Sequence, residues 1–193
     1  MNNSTEDRRV RKTKKALREG LAELMMEKDL RSITVRELTD KVDIHRATFY
    51  THYKDIYDLY EQIEDAVVNE LSAIVGDVFM SDEVFFKTLV DYISDNSMLC
   101  RMLLNRNGNR SFLDRVSSFL EEKYIEIWTN ELGKIRLPIE WHFGAAYHIG
   151  GCLAVISKWA EGNYTQPKEK IVEIILSLDT SFDKLLMQWK TTD

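Results

Sequence analysis

The sequence predicts an all-α fold, and two observations carry that prediction. Residues that interrupt helices are scarce, because the 193 residues include only 8 Gly and 2 Pro. Apolar residues recur at helical spacing along almost the whole chain, whereas the alternation of apolar and polar residues that marks strands is hard to find. We therefore expect about nine helices.

Three of these helices are predicted within residues 1–55. The first covers about residues 6–27 and has one apolar stripe, formed by Val10, Leu17, Leu21 and Leu24. The second opens at Thr34 with a capping box, in which the Thr34 hydroxyl accepts from the Glu37 N–H and the Glu37 carboxylate reaches back. After Asp43, which tolerates the left-handed backbone of a tight turn, a short third helix covers residues 45–52. This order is that of a helix-turn-helix.

Six further helices are predicted in the rest of the chain. They cover about residues 55–79, 84–94, 97–106, 110–132, 138–161 and 165–189. Ser81 is the expected cap of one helix, Asn107-Gly108-Asn109 the turn before another, and Pro138 lies in a first turn, where no N–H is needed. We therefore divide the chain into a three-helix head, residues 1–55, and a C-terminal helical bundle, the body, residues 56–193.

Charge is divided unevenly between these two parts. The head holds 13 Lys/Arg and 10 Asp/Glu, a net charge of +3, whereas the body holds 13 and 22, a net charge of −9, which gives −6 overall. Seven basic residues and no acidic one lie between Arg8 and Arg18. A basic head on an acidic body is typical of a nucleic-acid binder, and a solvated basic helix face is the alternative. Residues 2–11 are either an arm for a minor groove or a disordered tail.

Several other classes of protein lack support in the sequence. The N-terminus has no apolar signal region, and the longest apolar stretch, residues 149–156, is far short of the ~20 residues that span a membrane. Cys100 and Cys152 lack metal-ligand spacing, and the His residues lack the i, i+4 spacing of ligands on one helix. No Gly-rich phosphate loop or nucleophile elbow occurs. We expect a soluble cytoplasmic protein without enzyme activity, catalytic residues, cofactor or metal.

The most informative stretch is residues 33–57, ITVRELTDKVDIHRATFYTHYKDIY. It resembles the DNA-binding domain of the TetR family, in which a capped helix, a turn and a short recognition helix precede a long connecting helix. The residues that carry the resemblance are Thr34, Val35, Leu38, Val42, Thr48, Phe49, Tyr50, His52, Tyr53 and Leu59. The match covers about residues 8–60 and implies a bacterial transcription regulator that binds a double-stranded DNA operator as a homodimer.

The predicted DNA-binding residues lie on the second helix, the recognition helix and the segment after it. They are Thr34, Arg36, His45, Arg46, Ala47, Thr48, Tyr50, Thr51, His52 and Lys54. Arg46 is suited to a guanine edge, and the methyl group of Ala47 or Thr48 to a thymine methyl. Most of the others are expected at phosphates. Thr34 as a plain helix cap and His52 as a helix-end residue are the alternatives.

Two sets of residues are predicted to be functional in the body. TetR-like proteins usually dimerise through their last two long helices, which implies an interface formed by Gly144, Tyr147, Gly151, Val155, Ile171, Ile175, Leu178 and Phe182. A pocket for an unknown small-molecule effector is predicted among the middle helices, lined by Phe85, Tyr92, Met98, Met102, Phe112, Phe119 and Trp128. The alternative for both sets is ordinary core packing within one chain.

The sequence favours a ligand-responsive repressor that binds a palindromic operator as a dimer. Three positions depart from the family pattern: Asp43 replaces the usual Gly of the turn, His45 replaces a Ser or Thr cap, and Ile56 replaces a basic residue. Residues 150–178, which contain the segments GGCLAVISKW, EGN and IVEIILSL and the single residue Pro167, are loosely similar to the dihydroxyacetone-kinase regulator subgroup, which leaves activation open. The alternative function is a TetR-like coactivator or protein-interaction module with weak or no operator binding of its own.

Overall fold

The structure, a computed structural model, describes residues 3–75, 82–104 and 110–192. Within these residues the chain forms nine α-helices, a 3-10 turn over Leu30–Ser32 and no strand. The helices are α1 Asn3–Glu27, α2 Val35–Lys41, α3 Arg46–Tyr50, α4 Ile56–Val75, α5 Asp82–Asp95, α6 Ser97–Leu104, α7 Arg110–Leu132, α8 Ile139–Glu161 and α9 Lys168–Thr192. The predicted all-α fold is confirmed, while the Ser81 cap and the Asn107-Gly108-Asn109 turn lie outside the described residues.

The three helices of the head pack around side chains that are fully buried, among them Leu17, Leu21, Leu38 and Phe49. Gly20 lets α1 and α2 approach so closely that a Cβ atom there would lie 2.3 Å from Cγ1 of Val42. An ion pair joins the same two helices, because Lys41 Nζ lies 2.8 Å from a carboxylate oxygen of Glu23. The head is therefore a close-packed base for α3.

The turn and the cap between these helices follow from local chemistry. Asp43 adopts a φ of 54°, the left-handed conformation that the turn requires. Thr34 caps α2, since its hydroxyl accepts from the Glu37 N–H over 3.2 Å. The Glu37 carboxylate does not reach back as the capping box predicts. It bonds to the Lys28 ammonium instead, and this bond holds the pKa of Glu37 below its ordinary value.

The body continues directly from the head. In it α5 packs along α9 and α7 along α8, while α4 and α6 both contact α1 of the head. One hydrophobic core extends from Leu17 and Phe49 in the head to Ile175 in the body. The head and the body therefore share one packed core. None of the described helices is long and apolar enough to cross a membrane.

A buried polar network ties α7, α8 and α9 together. Nδ1 of His148 lies 3.1 Å from a carboxylate oxygen of Asp179, and Nε2 lies 3.2 Å from the Tyr124 hydroxyl. The Phe182 ring stacks on the His148 ring with a centroid distance of 4.6 Å. The network lies beside a second core cluster that contains Trp128, Trp141 and Phe182. It fixes the α8–α9 pair from the inside.

Candidate DNA-binding surface and body cavity

The recognition helix α3 has one buried side and one exposed side. Phe49 is fully buried, and Tyr53, which follows the helix, is 4% exposed, so both anchor α3 in the head. Arg46 and Ala47 are exposed on the opposite side. Tyr50 is 52% exposed, and its ring meets the Phe49 ring edge-to-face at 5.5 Å. This is the arrangement that a helix needs in order to enter a major groove: apolar residues beneath and polar residues outward.

Most of the predicted DNA-binding residues reach solvent. The exposed ones are Thr34, Arg36, His45, Arg46, Ala47, Tyr50, Thr51 and Lys54, while Thr48 and His52 are half-buried. Two of the hydroxyls already have protein partners, because Thr34 caps α2 and Thr51 donates to the Thr48 carbonyl over 2.6 Å. The Arg36 side chain lies 3.6 Å from Asp40 in an exposed pair, which contributes little to stability and leaves its guanidinium available.

His52 connects this surface to α1. Burial, and then the charge of Lys14, lower the pKa of His52, so at neutral pH the ring offers a hydrogen bond rather than a charge. Lys14 is a member of the basic run between Arg8 and Arg18, and its charge acts on a residue that the sequence predicts to contact DNA. The structure places residues 3–11 in the first turns of α1, so the prediction of a disordered tail is wrong for them.

Packing explains one departure from the family pattern. Ile56 is 4% exposed and belongs to the core where α4 begins. Two hydrogen bonds between neighbouring polar groups hold the first turn of α4. The Lys54 N–H donates to the Asp58 carboxylate over 2.7 Å, and the Asp58 N–H donates to the Asp55 carboxylate over 2.9 Å. The bond from the Lys54 backbone is the main reason that the pKa of Asp58 is lowered. Lys54 thus presents an exposed side chain on a fixed backbone.

The body contains a small apolar cavity of about 60 Å³. Helices α4, α5, α6, α7 and α8 all contribute to its wall, and the lining residues include Val67, Leu71, Leu103, Val116 and Leu153. A cavity that holds benzene has a volume of ~150 Å³. A ligand of that size would therefore have to push the surrounding helices apart.

The predicted pocket residues only partly coincide with this cavity. Phe85, Tyr92 and Phe112 line it. Met98 is exposed, Met102 is buried away from it, Phe119 lines a surface groove between α4 and α7, and Trp128 belongs to the second core cluster. Leu and Val residues form much of the wall, and their sequence pattern is the same as that of a filled core.

Helices α8 and α9 carry a broad exposed apolar face. Phe143 and Tyr147 on α8 are 72% and 80% exposed, and Leu178 on α9 is 62% exposed. Gly150 and Gly151 are exposed as well, and a Cβ atom added to either would meet nothing within 4 Å. Monomeric proteins rarely expose apolar patches of this kind, which mark interaction surfaces.

Some residues predicted for the dimer interface lie beneath this face and not on it. Tyr147, Gly151 and Leu178 are exposed and Val155 is half-buried, but Gly144, Ile171, Ile175 and Phe182 are buried within the chain. Gly144 admits the ring of Trp189, since a Cβ atom at Gly144 would lie 2.8 Å from it. The correction has a simple cause: α8 has apolar residues on two sides, and only packing decides which side faces its own core.

Comparison with known proteins identifies the family. Residues 83–180, about half of the chain, match the profile TetR_C_8, described as a transcriptional regulator C-terminal region. The chain belongs to the TetR family of transcriptional regulators. The predicted family is therefore confirmed. Regulators of the TetR family are DNA-binding proteins.

Similar proteins agree with this assignment. Over 56 residues the regulator is 41% identical to an uncharacterized HTH-type transcriptional regulator, YxbF, of Bacillus subtilis strain 168, an alignment that spans 28% of this chain and 15% of that relative. A putative TetR-family regulator from Syntrophomonas wolfei has a TM-score of 0.64 at 15% identity, with 89% of this chain and 94% of that one covered. The dihydroxyacetone kinase operon activator DhaS has a TM-score of 0.57 at 18% identity, with 90% and 97% covered. These two structural similarities show that the chain shares the fold of these regulators.

Proposed function

We propose that this TetR-family regulator binds a palindromic operator as a homodimer and represses transcription until an apolar effector releases it. The observation that carries the DNA-binding part is the exposed polar side of α3, held in place by the buried Phe49 and Tyr53. Arg46 is the base-reading residue, because a guanidinium can donate two hydrogen bonds to a guanine. Tyr50 and Lys54 contact phosphates and set the position of α3 in the groove.

The proposal of a dimer rests on the apolar face of α8 and α9. In a symmetric pair, Tyr147 and Leu178 of one chain would pack against the same face of the other, as an isologous interface requires. Gly150 and Gly151 would let the two α8 helices approach closely. Two linked heads would present their α3 helices to successive major grooves, which are ~34–36 Å apart along the duplex. A dimer of this symmetry recognises a palindrome.

Selection of bound sequences from a random pool of double-stranded DNA tests this proposal. The full-length protein at a stated salt concentration is expected to enrich an inverted repeat. If the pool is not enriched, the alternative of a coactivator without its own operator becomes the better account, and DNase footprinting on the regulated promoter would then show no protection by the regulator alone.

The proposed response to an effector rests on the position of the cavity. Its wall includes α4 and α6, the two body helices that contact α1 of the head, so a molecule that widens the cavity would shift the head. Apolar side chains line it, and therefore the effector is expected to be apolar where it enters. An effector that binds the widened state more tightly lowers the affinity for DNA by linkage.

Repression is the simplest outcome of operator binding. A bound dimer excludes other proteins from the same DNA by its volume and needs no further contact surface. A reporter gene placed behind the selected operator is expected to be less active when the regulator is present. Higher reporter activity would instead assign it to the activators.

A further inference from the structure

A surface groove and the interior cavity of the body lie on opposite sides of the seam between α4 and α7. Both helices line both voids, and neighbouring residues face different ones. Val67 and Val116 line the cavity, whereas Val68 and Arg115 line the groove. The groove has a volume of about 620 Å³. The side chains of this seam therefore separate a small interior space from a larger space that is open to solvent.

The seam is closed by packing and by an ion pair. Val67 and Val116 are both buried. On the outer side Arg115 joins the two helices, because its Nη1 lies 3.1 Å from a carboxylate oxygen of Glu64 and its Nη2 lies 2.5 Å from one of Asp65. A molecule that passes from the groove into the cavity would have to separate α4 from α7 at this point.

The two voids differ in polarity. The described wall of the cavity consists of apolar side chains apart from Tyr92 and Cys100. The groove has a mixed lining, which in the described part of the chain consists of Asp114, Arg115, Ser118, Glu122, Val68 and Phe119. A ligand that occupies both voids is therefore amphipathic, with an apolar part in the cavity and a polar group in the groove.

The charges of the groove favour a cationic group over an anionic one. Arg115 already pairs with two carboxylates, and one of them, Glu64, is buried. An anionic ligand would draw Arg115 away from this buried carboxylate, which is unfavourable. Asp114 and Glu122 are exposed acidic groups on the same side of α7, with Phe119 between them along the helix. An aromatic ring beside carboxylates suits a quaternary ammonium, since the face of the ring attracts a positive charge.

We propose that the groove and the cavity together form a binding site for an amphipathic cation. This inference rests on the proposed response to an effector and names the chemical class of that effector. The apolar chain enters the cavity through the α4–α7 seam, and the positively charged group stays in the groove beside Phe119 and Glu122. Because the chain widens the space between α4 and α7, its binding moves α4, which contacts α1 of the head.

Isothermal titration calorimetry on the full-length protein tests the class of ligand. The probes are decyltrimethylammonium and decanoate, which have chains of similar length, both used below the concentrations at which they form micelles. The cation is expected to bind about tenfold more tightly, which is the effect of a cation–π contact supported by carboxylates. Tetramethylammonium, which lacks the chain, is expected to bind about a hundredfold more weakly than decyltrimethylammonium, because it buries no chain in the cavity.

Two variants of equal charge test the groove. The Asp114→Asn, Glu122→Gln double variant removes both acidic groups with little change of shape and should reduce the preference for the cation to less than about threefold. Glu169→Gln, Glu173→Gln is the matched control, because it removes the same charge from exposed residues of α9, which contributes no described residue to either void. The control should keep the full preference. This comparison separates the groove from the general attraction of an acidic body for cations.

Leu153→Phe tests whether the chain enters the cavity. Leu153 lines the cavity from α8, a helix that contributes no described residue to the groove. The larger side chain fills the cavity and should weaken the binding of decyltrimethylammonium about tenfold, because less of the chain is buried. Thermal unfolding verifies that the variant is folded. Leu103→Phe, which fills the cavity from α6, replaces it if it is not.

The outcomes distinguish this inference from the proposed function. Equal affinities for the cation and decanoate, a groove variant that behaves as its α9 control does, or binding that the cavity-filling variant leaves unchanged would each overturn the inference. The response to an effector is measured separately, as operator affinity with and without each probe. If the cation binds as expected and operator affinity stays the same, the site stands and the response falls. If uncharged decanol lowers operator affinity although the cation is not preferred, the response stands and this inference falls.

Discussion

The head and the body use their apolar residues in opposite ways. In the head, apolar side chains such as Phe49 are fully buried, and the candidate functional residues, such as Arg46, are polar and exposed. In the body, the candidate functional surface is itself apolar. It consists of an interior cavity of about 60 Å³ and an outer face with Tyr147 and Leu178.

This difference shows what each part requires from its packing. By our proposal α3 reads bases, so the head must hold it in one position, because base recognition depends on the placement of a few hydrogen bonds. A close-packed core without spare volume provides that rigidity. By our proposal the body accepts a partner chain outside and a ligand inside, so it retains apolar surface that is not covered within the chain. Mutations in the head should therefore act by straining its close-packed core. Mutations in the body should act by changing the exposed apolar face or the volume of the cavity.

The largest effect is expected at the outer face of the body. Leu178→Asp places a charge on the proposed interface and should give a monomer in sedimentation equilibrium. Operator affinity should fall about a hundredfold, because the two half-sites are no longer bound by linked heads. Met187→Asp is the matched control: Met187 is also on α9 and 68% exposed, but it lies nine residues further, on the opposite side of the helix. If the Leu178→Asp variant remained dimeric, this result would show that the exposed face of α9 is not part of the interface.

Two glycine substitutions compare the packing of head and body directly. Gly20→Ala would place a Cβ atom 2.3 Å from Val42 and is expected to lower the free energy of unfolding by about 1–3 kcal/mol. Gly150→Ala is measured in the monomeric Leu178→Asp background, because Gly150 faces the partner chain in the proposed dimer. There it adds a Cβ atom that meets nothing within 4 Å inside a helix, so it should raise that free energy by about 0.5–1 kcal/mol. Urea denaturation measures both. Changes of the same sign would contradict the difference in packing.

The smallest effect is expected in the turn of the head. Asp43 has a φ of 54°, a conformation that glycine adopts at lower cost. Asp43→Gly should therefore leave the fold unchanged and alter the free energy of unfolding by less than about 1 kcal/mol in the stabilising direction. Asp43→Val, with a branched side chain, should be destabilising in the same assay. A stabilising valine would show that the turn does not require this backbone.

Sequence reasoning succeeded where one helix side was apolar and the other polar. On α3 Arg46 and Tyr50, which the sequence predicts to contact DNA, are exposed, and the apolar Phe49 is buried. The Lys28–Glu37 bond was not predictable, because its partners are nine residues apart and meet only once α1 and α2 have packed. The spacing of Thr34 and Glu37 indicated a capping box, because sequence patterns report only contacts between residues that are close along the chain.

In the body the same reasoning could not separate one apolar surface from another. Both Ile175, which is buried, and Leu178, which is exposed, belong to the apolar stripe of α9. The cavity was still harder to predict from the sequence, because a void depends on how five helices pack together and not on the type of any one residue. Of the residues predicted for an effector pocket, Tyr92 lines the cavity, whereas Met98 is exposed and lies elsewhere.

The central claim is that the exposed side of α3 reads the operator. The most direct test is the ratio of affinities for the selected operator and for a scrambled duplex of equal length, at one salt concentration. We predict a ratio of at least ~10³ for the unchanged protein. In the Arg46→Ala, Tyr50→Ala double variant this ratio should fall by about a hundredfold or more, because Arg46 reads the bases. Binding to scrambled DNA should weaken less than binding to the operator, since it loses only the phosphate contact of Tyr50 and the charge of Arg46. Lys87→Ala, which removes a positive charge from the exposed part of α5, should keep the full ratio. A double variant that retained the full preference would show that another part of the molecule selects the sequence.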